Sequence, residues 1–433
     1  MCRILTRLPL KKHVVIVGGG FAGMNVARQL ANHPHLDITL VDKNNYNFFP
    51  PLLYQVATGF LEISSISYPF RKMFAGTRNL KFWMGDLQSI AWEKNTLHLH
   101  NGSLSYDYLV LATGTTTNFF GMENVQRHAI PMKTLEEALN MRNLMLQRIE
   151  KAANSQDPQE QRELMTIVVT GGGPTGVELS GMFAEMSKTI IAQEYPELAH
   201  LTPSKIYLID GGSELLSPMS THAQKATLQA IKELGVEVRL NSHVVDYDGE
   251  TVSLRDGSTL RARNLIWAAG VTARRFEGLD EKSYGRGNRL RVNAYHMVEG
   301  TPNVYALGDT ALMETDPDFP NGHPQVAQVA MQQGCNFAKN MVRELKNQPP
   351  IPFHYNDKGS MAIIGRNKAV VDLVRPNWHF SGFLAWLTWL LVHLMSLSMP
   401  RNKVNTLYHW ALAYFSRNSS LRMIIRPDRT KTP

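Results

Sequence analysis

At 433 residues, 43% hydrophobic and 19% charged, the chain has the mix of a folded globular protein and is too long for one ordinary core, so two or three domains are expected. Its two cysteines, Cys2 and Cys335, make no CxxC or CxxxxC pair, which excludes a disulfide framework and a catalytic dithiol and makes a reducing compartment the default. The net charge of +8 is uneven: from Arg401 onward, seven basic residues (Arg401, Lys403, Arg417, Arg422, Arg426, Arg429, Lys431) stand against one acid, Asp428.

The N-terminal "MCRILTRLPLKK" lacks the apolar core of a secretory signal. A short β-branched strand follows, His13 to Val17, then a turn through Gly18, Gly20 and Gly23 into a helical pattern. This is G-x-G-x-x-G. The first glycine permits the tight turn, the second lets backbone approach a pyrophosphate, and the third packs helix on strand. The next strand, "DITLVD", ends in Asp42, 19 residues past Gly23 and placed to bind a ribose. The arrangement returns at "MTIVVTGGGPTGVELSGMFAEM", with Gly171, Gly173 and Gly176, and with "KIYLID" ending in Asp210. An acid there favours the free 2′-hydroxyl of NADH over the 2′-phosphate of NADPH.

Each fingerprint is followed by an apolar strand ending in a small-small-Gly turn: "YDYLVLATG" (Tyr106–Gly114) and "ARNLIWAAG" (Ala262–Gly270). The two halves therefore read as duplicated α/β units that bind two dinucleotides close together. If one is a flavin, hydride transfer is the natural chemistry. "TPNVYALGDTA" adds a strand, Val304–Leu307, ending in Gly308-Asp309, whose carboxylate can hold ribityl hydroxyls. In "HPQVAQVAMQQG", Pro324 is placed to start a helix, which would set Gln325, Gln328 and Gln332 on one face. "GSMAIIGRNKAVVDLV" reads as a hairpin. Phe380 to Met399 carries no formal charge, a length comparable to a bilayer's roughly 30 Å of hydrocarbon when helical.

Together these motifs resemble the two-dinucleotide-binding flavoproteins. Within them, "NNYNFFPPLLYQVATGFLE" (Asn44–Glu62), "GGGPTGVELSGMFAEM" (Gly171–Met186), "VAQVAMQQG" (Val326–Gly334) and "RNKVNTLYHWALAYFS" (Arg401–Ser416) resemble the type II NADH:quinone oxidoreductases. The resemblance covers nearly the whole chain. It implies two glutathione-reductase-like Rossmann domains: an FAD-binding one formed by 1–118 and 296–346, and an NADH-binding one over 119–295. Residues 347–433 would form a hairpin and membrane-anchoring helices. Relatives often read "ELAGE" where this chain has Met182, and Met331 stands where some have His, so no histidine role carries over there.

The implied reaction passes hydride from NADH to non-covalent FAD and then two electrons to a membrane quinone, ubiquinone or menaquinone, without pumping ions. The residues that match the FAD site are Gly18, Gly20, Phe21, Ala22, Gly23, Asp42, Lys43, Thr113, Gly114, Gly308, Asp309 and Gln328. Those that match the NADH site are Gly171, Gly173, Pro174, Thr175, Gly176, Glu178, Asp210, Ala269 and Gly270. Glu178 is expected to orient the flavin–nicotinamide junction, or to carry protons there. Gln328 is the expected quinone contact, and Lys403 either points into the quinone cavity or snorkels to phosphates. No metal site is expected.

A bilayer quinone explains the apolar tail. Trp378, Trp386 and Trp389, with His379 and His393, favour an interfacial helix, and "VNTLYHWALAYFSR" supplies a second amphipathic stretch. The expected anchor lies on the membrane surface, on the cytoplasmic face of a bacterial inner membrane, and a symmetric homodimer would strengthen it. The basic tail reads as attraction to anionic lipid rather than to nucleic acid. Two rival functions predict different behaviour. A soluble NADH-dependent reductase would serve a ferredoxin-like partner, and a redox sensor would hold a reduced flavin and turn over slowly.

Overall fold

The computed structural model describes residues 11–201, 203–416 and 423–424; Cys2, the "MCRILTRLPL" leader, Arg417, Arg422, Arg426, Asp428, Arg429 and Lys431 lie outside them. The chain divides into two compact units: 1–48, 68–116 and 271–357 in the first, 49–67, 117–270 and 358–433 in the second. These limits differ from the sequence boundaries. Residues 271–295 join the first unit, because the strand Leu290–Val292 pairs with Ala311–Met313, and so do residues 347–357. Residues 49–67, 117–118 and the C-terminal hairpin and helices join the second.

In the first unit five parallel strands stand in the order Val304–Ala306, Tyr108–Leu111, Lys12–Val17, Leu36–Asp42, Leu80–Met84. The central strand is buried on both faces. Val14 and Ile16 pack under the helix Phe21–Leu30, while Val15 and Val17 face a second cluster that includes Leu97 and Leu111. Such two-sided burial explains the unbroken β-branched run, since alternation is needed only where one face meets water. The helix Ala327–Glu344 lies against Phe21–Leu30 closely enough that a Cβ on Gly334 would come within 2.6 Å of the Ala22 carbonyl oxygen.

The second unit repeats the plan. Its parallel sheet runs Ile130–Pro131, Asn264–Trp267, Ile167–Thr170, Ile206–Ile209, Glu237–Arg239. Each unit also carries a three-stranded antiparallel meander, Leu87–Ser105 in the first and Val244–Arg261 in the second. The glycine-motif helix, Pro174–Met186, continues through a π-helical turn, Ser187–Ile191, to Glu194.

The C-terminal part of the second unit corrects the reading of Phe380–Met399 as one apolar segment. The hairpin Ser360–Gly365 and Lys368–Leu373 gains a third strand, Trp378–Ser381. Gly382, at φ +81°, turns the corner into the helix Phe383–Ser396. Leu397 leaves the helical conformation at ψ 136°, and a second helix runs Pro400–Ser416. The first helix is therefore about 21 Å long at 1.5 Å per residue, and no described helix is long and apolar enough to cross a membrane.

Candidate active site

Both glycine loops place backbone where a side chain could not fit. Gly18 sits at φ +104°, and a Cβ there would lie 2.2 Å from the Ala112 carbonyl oxygen. Gly23 would meet the Gly18 carbonyl at 1.9 Å. At Gly20, by contrast, nothing lies within 4 Å, so the floor at the N-terminus of Phe21–Leu30 is open. Phe21, Ala22 and Gly23 make the first turn, and the N-terminal end of a helix favours phosphate. Asp42 accepts hydrogen bonds from the Gly19 N–H (2.7 Å) and the Asn44 N–H (2.8 Å). Burial raises its pKa against these bonds and the adjacent Lys43 charge.

The same end of the first sheet gathers the remaining first-site residues. The Thr310 hydroxyl accepts the Gly114 N–H at 3.0 Å and lies 3.2 Å from the Thr113 hydroxyl. Gly308, at φ +65°, donates its N–H to the buried Gln333 Oε1 at 2.6 Å. Asp309 accepts a 3.4 Å bond from Thr115 through its carboxylate and a 3.1 Å bond from the Gln325 amide through its carbonyl. The expected glutamine face does not form. The helix starts at Ala327 rather than at Pro324, so Gln325 lies before it, and Gln332 is tied to the Asn356 backbone. Gln328 stays in the first turn, half-buried. Gln333 was missed, since only the fold reveals that it holds the Gly308 turn.

In the second unit, Gly171 (φ +108°) would clash with the Ala268 carbonyl at 2.4 Å, beside Ala269, and Gly176 with the Gly171 carbonyl at 1.8 Å. Gly173 is open, and Pro174 and Thr175 begin the helix. The Asp210 carboxylate accepts the Gly172 N–H (2.5 Å) and the Gly212 N–H (2.7 Å). The Gly270 carbonyl accepts the Asn118 N–H at 3.0 Å.

Glu178 is buried in this helix. Desolvation drives its pKa well above the usual carboxylate range, opposed by a bond from the Ile363 N–H. It opens on a cavity of 430 Å³ within the second unit, whose other polar walls are Tyr54, Gln55, Glu185 and Arg366. The Trp410 indole N–H donates to Gln55 Oε1 (2.7 Å), and the Gln55 amide donates to the Tyr54 hydroxyl (2.8 Å). Trp389, wholly buried, stacks on His393 at 3.9 Å and meets Tyr54 edge-on. Asn402 fastens the last helix by donating to the carbonyls of Ser64, Ser65 and Ser67. Lys403 follows it, half-buried in the first turn of Pro400–Ser416, and is not among the residues lining the cavity. The cation at the cavity is Arg366, whose guanidinium lies 4.2 Å from the Tyr414 ring and donates to the Tyr414 carbonyl.

Residues 12–334 match the pyridine nucleotide-disulphide oxidoreductase family, and residues 358–418 match the NDH2 C-terminal domain. The type II NADH:quinone oxidoreductase Ndh of Mycobacterium tuberculosis is 34% identical over 427 residues, covering 95% of this chain and 90% of that protein. NdhA of the same organism is 35% identical, covering 94% and 88%. The chain belongs to the type II NADH:quinone oxidoreductases. The fold agrees with the NDH2 structure from Plasmodium falciparum in complex with NADH, at a TM-score of 0.87, 21% identity, and 96% and 100% coverage. The sulfide:quinone oxidoreductase of Aquifex aeolicus has a TM-score of 0.71 at 20% identity, with 93% and 95% coverage.

FAD is the cofactor of a type II NADH:quinone oxidoreductase, and the chain's own geometry fits a dinucleotide. The open floor at Gly20, the helix N-terminus behind it and the half-buried acid at Asp42 are the three features that a pyrophosphate and ribose need.

Proposed function

We propose that the first unit's loop holds FAD, that the second unit's loop holds NADH, and that the 430 Å³ cavity admits the quinone headgroup. The chain is an NADH:quinone oxidoreductase and, like its family, pumps no protons. Bound FAD supplies the two-electron relay between nicotinamide and quinone. The protein's part is placement. Asp42 and Asp210 fix the two ribose ends, Gly20 and Gly173 admit the phosphates, and Glu178 sits where a proton can be held out of water. Gln333 holds the Gly308 turn, and Gln328, in the first turn of Ala327–Glu344, is assigned as the quinone contact, an amide that can donate as well as accept. Lys403 is assigned to the membrane edge of the anchor, with its ammonium toward lipid phosphate.

The observation that carries this reading is the anchor's exposed face. Leu384, Leu387, Leu391 and Met395 repeat at helical spacing, as do Val404, Tyr408, Leu412 and Phe415, and all are exposed, Phe415 to 83%. These helices also wall the cavity, so a quinone can pass from lipid to Glu178 without crossing water. The attachment is monotopic, on the cytoplasmic face, and a symmetric dimer would set two such anchors on one surface. A soluble reductase has no use for this face.

The test uses FAD-loaded full-length protein with NADH, a short-chain quinone and anionic liposomes. The wild type should reduce the quinone and float with the liposomes. Leu384→Glu combined with Met395→Glu, neither of which lines the cavity, should keep short-chain quinone reduction and stay in solution, each carboxylate cancelling about 1.5–3 kcal/mol of apolar burial. Rapid flavin reduction with no transfer to quinone would sink the reading in favour of a protein acceptor.

A further inference from the structure

Reduction of a quinone by NADH consumes one proton beyond the hydride: NADH + H⁺ + Q gives NAD⁺ + QH₂. That proton must come from water, yet Glu178, a carboxyl that lines the cavity, is buried. We propose that Glu185 takes the proton from solvent and passes it through the Tyr54 hydroxyl to Glu178. This inference rests on the cavity being the quinone site.

Glu178 and Glu185 stand seven residues apart on Pro174–Met186, hence about 10.5 Å along one face of the helix. Both line the cavity, with Met182 between them. They differ in access: Glu185 is partly exposed where Glu178 is buried. Gly181 and Gly365 make the arrangement possible. A Cβ on Gly181 would fall 1.7 Å from the Ile364 carbonyl oxygen, and one on Gly365 would fall 2.7 Å from Glu185 Oε1. The Arg366 N–H then holds Glu185 Oε1. Arg366 and Lys368 of the hairpin and Lys188 of the same helix face Glu185 with positive charge, while burial holds its proton above the usual carboxylate range. The Arg366 guanidinium itself is turned to Tyr414.

Tyr54 has the orientation that a relay needs. The Trp410 indole N–H occupies the Gln55 oxygen, so the Gln55 NH₂ must face the phenol oxygen. The phenol therefore accepts from Gln55 and keeps its own proton to donate. Both carboxylates act electrostatically on this buried phenol, and 430 Å³ leaves room for ordered water between the three groups. In the step, Glu185 gives its proton to the Tyr54 oxygen as Tyr54 passes its own to the Glu178 carboxylate. Glu185 is left ionised and regains a proton from water. Only O–H bonds are exchanged, and no electron moves.

Glu185→Gln keeps an acceptor for the Arg366 N–H but cannot titrate, and Tyr54→Phe keeps the ring. In FAD-loaded enzyme, flavin reduction by NADH should proceed at the wild-type rate in both. Reoxidation by a short-chain quinone should slow about ten-fold or more. The wild type should lose reoxidation rate as pH rises through the Glu185 pKa, and Glu185→Gln should lack that limb and be rescued by formate. The resting Glu185→Gln protein should also lack an infrared carboxyl band present in the wild type. Reoxidation within about two-fold of wild type, or slowing with an unchanged pH profile and no formate rescue, would overturn the proposal. Ala411→Trp, which fills the cavity from the helix Pro400–Ser416, separates the two levels. If it leaves quinone reduction intact, the cavity reading itself fails. If it blocks quinone while Glu185→Gln runs at full rate, only the proton route fails.

Discussion

The two dinucleotide units share a strand order, a meander and a glycine loop, yet their glycine-motif helices are used differently. Phe21–Leu30 has no acid in its sequence and packs against another helix, where Gly334 lets backbone reach Ala22. Pro174–Met186 carries Glu178 and Glu185 and packs against a β-strand, where Gly181 lets the helix reach the Ile364 carbonyl. The first helix opens at a glycine loop and carries no carboxylate. The second opens at the same kind of loop and, farther along, walls a cavity with two carboxylates. Duplication supplied the same binding device twice, and the C-terminal hairpin gave the second copy a chemical face.

Substituting the two packing glycines would sharpen that contrast most. Gly181→Ala puts a methyl 1.7 Å from a backbone oxygen, against 2.6 Å for Gly334→Ala. Backbone cannot yield as a side-chain tip can, so Gly181→Ala should cost about 3 kcal/mol and Gly334→Ala about 1–2 kcal/mol, read by chemical denaturation. Equal costs would mean that the hairpin gives way easily and that the second helix is no more constrained than the first.

The ribose acids come next. Asp210→Ala removes an acceptor shared by two N–H groups. It should raise KM for NADH about ten-fold or more while the FAD content stays full. Asp42→Ala should do the reverse, losing FAD during purification, as read from the flavin absorbance. If either variant lost both ligands equally, the two loops would not act as separate sites. A smaller change is expected from Asn402→Ala, which forfeits bonds to three carbonyls at 3.0–3.1 Å. It should cost about 2 kcal/mol and loosen the last helix without changing either dinucleotide affinity.

How legible all this was depended on distance along the chain. The strand–glycine turn–helix units, and the strands leading to Asp42 and Asp210, were readable because each is set by local spacing and hydrophobic pattern. The duplication was readable for the same reason. Hydropathy merged Phe380 and Ser381 with the following helix, since an edge strand and a helix can be equally apolar; the corner depends on Gly382 alone. Proline at 324 suggested a helix start, but Gln325 is bound to the Asp309 carbonyl, which keeps that segment out of the helix. Glu185 lay on the helical face already marked by Glu178, seven residues on, and that spacing was an available signal. Tyr54 was legible only as part of the Asn44–Glu62 motif and Arg366 only as a hairpin-turn residue, because their place at the cavity comes from packing between segments more than a hundred residues apart.

The least dramatic expected effect tests whether the second helix bears a cost that the first does not. Burial raises the Glu178 pKa well above its unfolded value. A carboxyl raised in this way is neutral in both states below the unfolded pKa, so it imposes no penalty in acid. As pH climbs toward the folded pKa, the unfolded chain releases the proton and the folded chain keeps it, so stability falls. Glu178→Gln has no proton to lose. Its melting temperature should match the wild type's at acidic pH and exceed it by a margin that widens as pH rises. The first unit's helix, Phe21–Leu30, carries no carboxyl, so no comparable pH-dependent penalty is expected from it. If the Glu178→Gln gap stayed constant with pH, the carboxyl would be ionised in the folded enzyme. It would then orient ligands as a fixed charge rather than store a proton.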